Sequence, residues 1–241
     1  MADVSSVIWI TGASSGIGLA SARALAGAER TLILSGRNKD ALGEICKELA
    51  AKGGVVDPVA FDATDSRAVE IAIGEISQRH GDVDVLINSA GWNPTDREWP
   101  VVTPESWDHA LAVNLDAAFY CTRVALQGMR RKRAGLIVNI VSGAGRYVYG
   151  VVGPAYTASK HALFAMTSQI NQTEAQNGIR ACAFCPGEVS TPLLARRKIP
   201  PTAEQRAQML QPEEVAELIA YIVKLPPAIH ISEIVVASAR R

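Results

Sequence analysis

Short, nearly unbroken apolar runs alternate with longer stretches of helical period along most of this chain. The runs are VIWIT, TLILS, VVDPVAF, VDVLINS, LIVNIVS, IRACAFC and SEIVVAS. They are rich in Val and Ile and apolar at consecutive positions. That is the pattern of parallel strands covered on both faces, not of half-exposed antiparallel ones. Between them, helical patterns run over Gly16–Ala28, Lys39–Lys52, Ser66–His80, Glu105–Arg133, Ala155–Asn177 and Glu213–Lys224. Strand and helix alternating in this order predict an α/β fold: one doubly wound, seven-stranded parallel sheet with helices on both faces. No linker, repeat or low-complexity tract interrupts the pattern, so residues 1–241 read as a single domain. One region departs from it. Residues 186–211 are polar, contain Pro192, Pro200 and Pro201, and are long for a plain connection, so a substrate loop or lid is expected there.

Composition narrows the function classes. The chain is 48% hydrophobic and 20% charged, and its 24 basic and 24 acidic residues balance. Net charge therefore gives no reason to expect a nucleic-acid groove or a membrane surface. The one basic cluster, Met129–Arg133, precedes Ala134 and Gly135. It reads as cations at a helix C-terminus with a glycine cap, with anion binding as the alternative. The N-terminal segment carries no basic leader and enters a strand at once. No stretch reaches about 18 apolar residues, so no membrane span is expected. Four cysteines in this length suit a reducing compartment, and a cytoplasmic location is expected. Cys182 and Cys185 imitate a redox motif, but on a strand residues an odd number apart face opposite ways. They read as small buried side chains. His80, His109, His161 and His230 share no metal-ligand spacing, so no metal is expected.

The first run leads directly into TGASSGIG, Thr11 to Gly18. A glycine-rich turn leaving a strand and opening a helix lets the backbone approach a pyrophosphate, and it aims the helix N-terminal N–H groups at that charge. Dinucleotide binding follows from this context.

The spacing G-x-x-x-G-x-G after a threonine, distinct from G-x-G-x-x-G, resembles the classical subgroup of the short-chain dehydrogenase/reductase family. The resemblance continues in order along most of the chain. NSAG, Asn88 to Gly91, matches the family's N-N-A-G except at Ser89. Asn114 lies in VNL, Ser142 ends the fifth run, Tyr156 and Lys160 form Y-x-x-x-K, and CPGEVSTP matches P-G-x-x-x-T. The resemblance implies a Rossmann fold and an NAD(P)-dependent oxidoreductase acting on CH–OH groups, with Asn114, Ser142, Tyr156 and Lys160 catalytic. Cofactor contacts are implied at Gly12, Ser14, Ser15, Gly16, Ile17 and Gly18 in the turn. They are also implied at Asp62, Asn88, Ala90, Gly91, Tyr156, Lys160, Pro186, Gly187, Val189 and Thr191. Homo-oligomers, tetramers or dimers, are usual among similar proteins, with helices such as Ala117–Arg133 and Ala155–Asn177 in contact.

The end of the second run distinguishes the dinucleotides. An NAD site usually has an acidic residue there for the ribose hydroxyls. Here the position holds Gly36, followed by Arg37. A glycine leaves room for a 2′-phosphate and a guanidinium can bind it, so NADP(H) is favoured, with NAD(H) as the alternative.

Residues four apart share a helix face, which sets Lys160 beside Tyr156. A cation at ~5 Å in an effective dielectric of ~20 favours phenolate by roughly 3 kcal/mol, about 2 pKa units. A phenol so tuned can protonate a carbonyl oxygen as hydride arrives, or take the proton back. Ser142 can donate to the same oxygen, and Asn114 can order a water beside Lys160. The pocket is expected to draw on residues 91–100, 143–150 and 186–211, with Trp92, Arg97, Trp99, Arg146, Tyr147 and Tyr149 as candidates. The expected substrate is a small carbonyl compound or alcohol. The ending lacks the V-D-G-G of the family's fatty-acid-synthesis ketoreductases. A non-catalytic dinucleotide-binding regulator on this fold, and an epimerase or dehydratase, are the competing classes.

Overall fold

The computed structural model describes residues 6–240, so the N-terminal residues 1–5, part of the segment read for a leader, lie outside the described residues. In chain order the strands are β1 (Ser6–Thr11), β2 (Arg30–Gly36), β3 (Val55–Ala60), β4 (Val85–Asn88), β5 (Gly135–Ile140), β6 (Ile179–Pro186) and β7 (Glu233–Val236). The helices are α1 (Gly16–Leu25), α2 (Lys39–Ala50), α3 (Ser66–His80), α4 (Pro104–Leu111), α5 (Ala117–Lys132), α6 (Pro154–Glu174), α7 (Ala203–Gln208) and α8 (Pro212–Lys224). All strand pairs are parallel, in the order β3-β2-β1-β4-β5-β6-β7. The order reverses between β1 and β4, which opens a crevice at their C-terminal ends.

The continuous apolar pattern of the strands has a direct structural counterpart. In β1, Ile8 and Ile10 face a core shared with α1, α2 and α8, including Leu25, Leu42 and Ile219. Val7 and Trp9 face the opposite core, with Ile76 of α3, Val124 of α5 and Ile170 of α6. Successive residues point to opposite faces, so both parities must be apolar when helices cover both. Cys182 lies in the first core, while Cys185 faces away from it among Val141, Leu163 and Ala183. Both thiols are free, and burial pushes them up to about 12 and about 11.

Local side chains set the helix starts. Asp65 accepts from the N–H groups of Arg67 and Ala68 at 2.9 and 3.2 Å and begins α3, which ends at Gly81. Thr103 and Ser106 cap each other's backbone at the start of α4. The helical pattern read over Glu105–Arg133 is two helices joined by a π-helical turn, Ala112–Asp116. The basic run closes α5 as expected, but its left-handed residue is Arg133, at φ 51°, and not a glycine. Gly135 instead makes room for Met129, whose Sδ would lie 2.5 Å from a Cβ there.

The cations of that run are used internally. Arg131 pairs with Asp82 and Lys132 with Asp84. Arg130 grips buried Glu174 of α6 through two bonds of 2.9 and 2.6 Å. This grip holds the Glu174 carboxyl below its ordinary range. Its folded pKa lies below its unfolded value, so its stabilisation is present above the ordinary carboxylate range and is lost as pH falls. Arg130→Gln should cost about 1–2 kcal/mol at neutral pH, discounted because the guanidinium is half exposed. Urea midpoints for the two proteins should converge as the acid range is entered. A gap that persists at pH 3 would contradict this account.

Candidate active site

The crevice at the β1/β4 reversal is a cleft of about 880 Å³. Its floor is the glycine turn. Gly12 has φ 64°, and a Cβ there would sit 2.8 Å from the Ala90 nitrogen. Gly16 has φ 55°, and a Cβ on it would meet the Thr191 methyl at 3.3 Å. Gly18 is backed onto the Gly12 carbonyl with no room for a side chain. The three glycines thus let the turn, the end of β4 and the segment after β6 approach one another. Ser15, the residue before α1, makes no side-chain cap, and the first turn of α1 contains no acid. The N–H groups of that turn have no intrahelical partners and remain available to an anion.

Most of the expected contact residues line this cleft. Gly12, Ser14, Ser15, Gly16, Ile17, Arg37, Asp62, Ala90 and Gly91 do so on one side of the switch point. Ser142, Tyr156, Lys160, Pro186, Gly187, Val189 and Thr191 do so on the other. Gly18, Asn88 and Asn114 stand behind the wall. Asn88 is buried and donates to Asn139 at 2.8 Å, tying β4 to β5. Asn114 lies in the π-helical turn. Its oxygen accepts from the Trp92 N–H at 2.8 Å, and its amide donates to the Trp92 carbonyl at 2.8 Å and to Ser159 at 3.0 Å. Asn114 therefore fastens the loop after β4 to α6, within one turn of Tyr156.

Arg37 is exposed at the rim, next to Gly36. Asp62 forms a turn, accepting from the N–H and hydroxyl of Thr64 at 2.9 and 2.8 Å. Burial would raise its carboxyl, but the Thr64 bonds and the nearby Arg37 and His109 hold it below its ordinary range.

The catalytic candidates sit close together. Strand β5 ends at Ile140, and Ser142 follows, at the start of a 3₁₀ turn over residues 143–145. Its hydroxyl oxygen accepts from the Ala144 N–H at 3.1 Å, which leaves the O–H to donate across the cleft toward Tyr156. Tyr156 lies in the first turn of α6, open to the cleft on one side. The Lys160 ammonium is 5.7 Å from the centroid of its ring. Lys160 is itself buried, donates to the Ile140 carbonyl at 2.8 Å, and is brought down to about 8 by burial.

The electrostatics differ from the sequence expectation. Lys160 does lie beside the Tyr156 ring, but it is not what governs the free phenol. Burial raises the Tyr156 pKa, and a hydrogen bond with Ser142 and the charge of Arg97 only partly oppose it. Burying an anion costs more than a cation screened by its own carbonyl partner returns. Without ligand, then, Tyr156 is protonated at neutral pH.

The pocket candidates also divide. Arg97 and Tyr149 line the cleft. Trp99 and Tyr147 are exposed to solvent, and Arg146 pairs with Glu233 and lies over Phe164. Trp92 packs edge-on against His109 at 4.5 Å and under Arg196 at 5.1 Å. Asn93, in the expected loop 91–100, also lines the cleft, as does His109, which sequence reading did not foresee. Among the described residues no cluster of His, Cys, Asp or Glu could hold a metal, and no helix is long and apolar enough to cross a membrane.

A doubly wound sheet with a glycine turn at its switch point, faced by a tyrosine over a buried lysine, defines a Rossmann-type oxidoreductase. The family model described as short chain dehydrogenase matches residues 6–200. The chain belongs to that family. It is 34% identical over 224 residues to the 3-oxoacyl-(acyl-carrier-protein) reductase FabG of Thermotoga maritima, covering 90% of this chain and 89% of the relative. It is 35% identical over 201 residues to a D-beta-hydroxybutyrate dehydrogenase of Rhizobium meliloti, covering 82% and 76%. Among solved structures, an alcohol dehydrogenase from Thermococcus sibiricus complexed with 5-hydroxy-NADP superposes at TM-score 0.88 with 28% identity, covering 98% of this chain and 97% of that one. An actinorhodin polyketide ketoreductase with NADPH gives TM-score 0.88 with 31% identity and the same coverage. The protein is an NAD(P)-dependent oxidoreductase of the CH–OH class.

Proposed function

We propose that this protein is an NADP(H)-dependent carbonyl reductase or secondary-alcohol dehydrogenase in which Tyr156 is the general acid and base. The observation that carries the reading is the convergence of Ser142, Tyr156 and buried Lys160 on the cleft that the glycine turn opens. The residues present fit a dinucleotide. The cradle at Gly12 and Gly16 would be filled by any Cβ, and the start of α1 offers uncapped N–H groups for a pyrophosphate. Ser14, Ser15 and Ile17 would hold the phosphates. Asp62 would take the adenine, Ala90 and Gly91 the ribose, and Pro186, Gly187, Val189 and Thr191 the nicotinamide end. Asn88 and Gly18 would act through the backbone they position.

When bound, the reduced cofactor would supply a hydride, two electrons with one proton, to the carbonyl carbon. Tyr156 gives its phenolic proton to the carbonyl oxygen, so that the alcohol forms and the tyrosine is left as phenolate. Ser142 donates a hydrogen bond to the same oxygen and holds it against Tyr156. Lys160, charged at neutral pH, stabilises the phenolate at the moment it forms. Asn114 keeps the Trp92 loop and α6 in register. Residues 186–211, with Leu194 and Arg197 on the cleft, form the substrate loop. Exposed Phe119 on α5 supports association of copies through that helix.

Arg37 with Gly36 supports NADP(H) over NAD(H), as do the solved relatives that carry NADP or NADPH. Arg37→Ala should weaken NADPH about ten- to hundredfold, the loss of one or two charge-assisted bonds, and leave NADH within a few-fold. Fluorescence titration of both nucleotides checks it. Equal losses for the two would remove the 2′-phosphate role. A panel of ketones, aldehydes and alcohols followed at nicotinamide absorbance tests the activity itself. Nucleotide binding with no turnover across the panel would favour a regulatory protein.

A further inference from the structure

Two cations are buried among the described residues: Lys160, 3% exposed, and Arg97, 7% exposed. The first belongs to the machinery described above. The second lies in the loop after β4 and lines the same cleft as Ser142 and Tyr156.

The backbone of Arg97 is clamped to the start of the catalytic helix. Asn93 donates to the Val152 carbonyl at 3.1 Å. Gly153, at φ 78°, lies so close that a Cβ on it would come 2.8 Å from the Arg97 Cβ and closer still to its carbonyl oxygen. Gly153 is the residue that opens α6, three positions before Tyr156. Arg97 thus has a fixed relation to the phenol.

Its guanidinium is poorly satisfied. Nε reaches the Thr95 carbonyl at 3.4 Å, and one terminal nitrogen reaches the Arg196 carbonyl at 3.0 Å. A guanidinium has five N–H donors, so most of this one's capacity remains. Among the described residues no carboxylate forms an ion pair with it. Neighbouring Glu98 accepts the Arg97 main-chain N–H at 3.3 Å instead. The adjacent arginines do have partners. Arg197 holds Glu188 at 2.5 Å, while Arg196 donates to the Asn93 carbonyl at 3.2 Å and lies over Trp92. Burial and the charges of Arg197 and Arg196 press the Arg97 pKa down, against Glu98 and Tyr156. A strut that only joins two carbonyls needs no charge, and the unbonded N–H groups of this one open on the cleft instead of being sealed in the core. Such a cation on a cleft wall suits an anion that arrives with the substrate.

We propose that Arg97 receives the carboxylate of the substrate, and that this enzyme acts on small oxo acids and the corresponding hydroxy acids, not on neutral ketones or thioesters. The inference rests on the reductase reading above and names its substrate class. The free end of the guanidinium can bind a carboxylate through two N–H groups and so fix the carbonyl against Ser142 and Tyr156.

The test compares acetoacetate, levulinate and pyruvate with their methyl esters, at constant ionic strength, in wild-type and Arg97→Gln proteins. The wild type should prefer at least one acid over its ester. Arg97→Gln should lower the acid-to-ester ratio of kcat/KM by about a hundredfold, chiefly through KM for the acid. Arg97→Lys should restore part of the ratio, because charge returns without the planar fork. A merely structural role would depress both substrates together and leave the ratio unchanged, which overturns the proposal. So does a wild type that reduces only esters or neutral ketones, and in that case the reductase reading survives. Malonate binding to the NADPH complex, read by nicotinamide fluorescence, needs no turnover. Saturable binding lost in Arg97→Gln supports the carboxylate site even if no tested carbonyl is reduced. Absence of such binding in the wild type counts against it.

Discussion

Replacing Tyr156 by phenylalanine is expected to lower kcat by about 10²–10⁴-fold, the usual reach of a positioned general acid, while nucleotide affinity changes less than about threefold. The substitution removes one oxygen and leaves the ring that packs on the cleft wall. The pH dependence follows from the environment of the phenol. Burial raises its pKa in the free protein, so the protonated donor form predominates at neutral pH. Reduction should therefore run well at neutral pH and decline at alkaline pH as the proton is lost. Oxidation needs the phenolate, so its rate should rise with pH over the same range. In Tyr156→Phe both limbs should vanish from whatever activity remains. Turnover retained near the wild-type level would mean that another group supplies the proton, and the proposed mechanism would fail.

The second large effect is expected at Gly12. Gly12→Ala combines two costs. Its φ of 64° lies where a side chain is strained, and the new Cβ would sit 2.8 Å from the Ala90 nitrogen and 2.9 Å from the Ser89 carbonyl carbon. Neither neighbour is a flexible side-chain end. We expect a loss of about 2–4 kcal/mol in stability and of measurable nucleotide binding, because the ends of β1 and β4 must part to accept the methyl group. Gly74→Ala is the control. Gly74 lies within α3 with nothing within 4 Å of its Cβ position, so alanine there should stabilise by about 0.5–1 kcal/mol. Urea unfolding and fluorescence titration measure both. A Gly12→Ala protein that binds nucleotide like the wild type would show that the turn does not need its present approach to β4.

The two predictions differ in how much of their basis the sequence supplies. Gly12 could be chosen from the motif alone, because a glycine-rich turn between strand and helix has few other uses. The size of the effect could not, since it depends on Ala90, which chain topology brings alongside. For Tyr156 the motif names the residue and the lysine that stands beside it. Its protonation behaviour depends on how deeply the cleft buries it and on Arg97, fifty-nine positions earlier. Ser142 is a similar case. Its position after β5 was legible, while its freedom to donate rests on the turn N–H that its oxygen accepts.

The sequence by itself determined the order of strands and helices, the two-sided burial of the sheet, the glycine turn and the Tyr–Lys pair. All of these are carried by local periodicity or by spacing within a few residues. Tertiary structure alone decided the π-helical turn that carries Asn114, whose side chain is held by Trp92 and Ser159 from distant segments. It also decided which loop side chains enter the cleft. Trp99 and Arg97 are two positions apart in one loop, yet one is in solvent and the other is buried. The difference is the close approach of Gly153 to the Arg97 backbone, a contact between distant segments that no local pattern encodes.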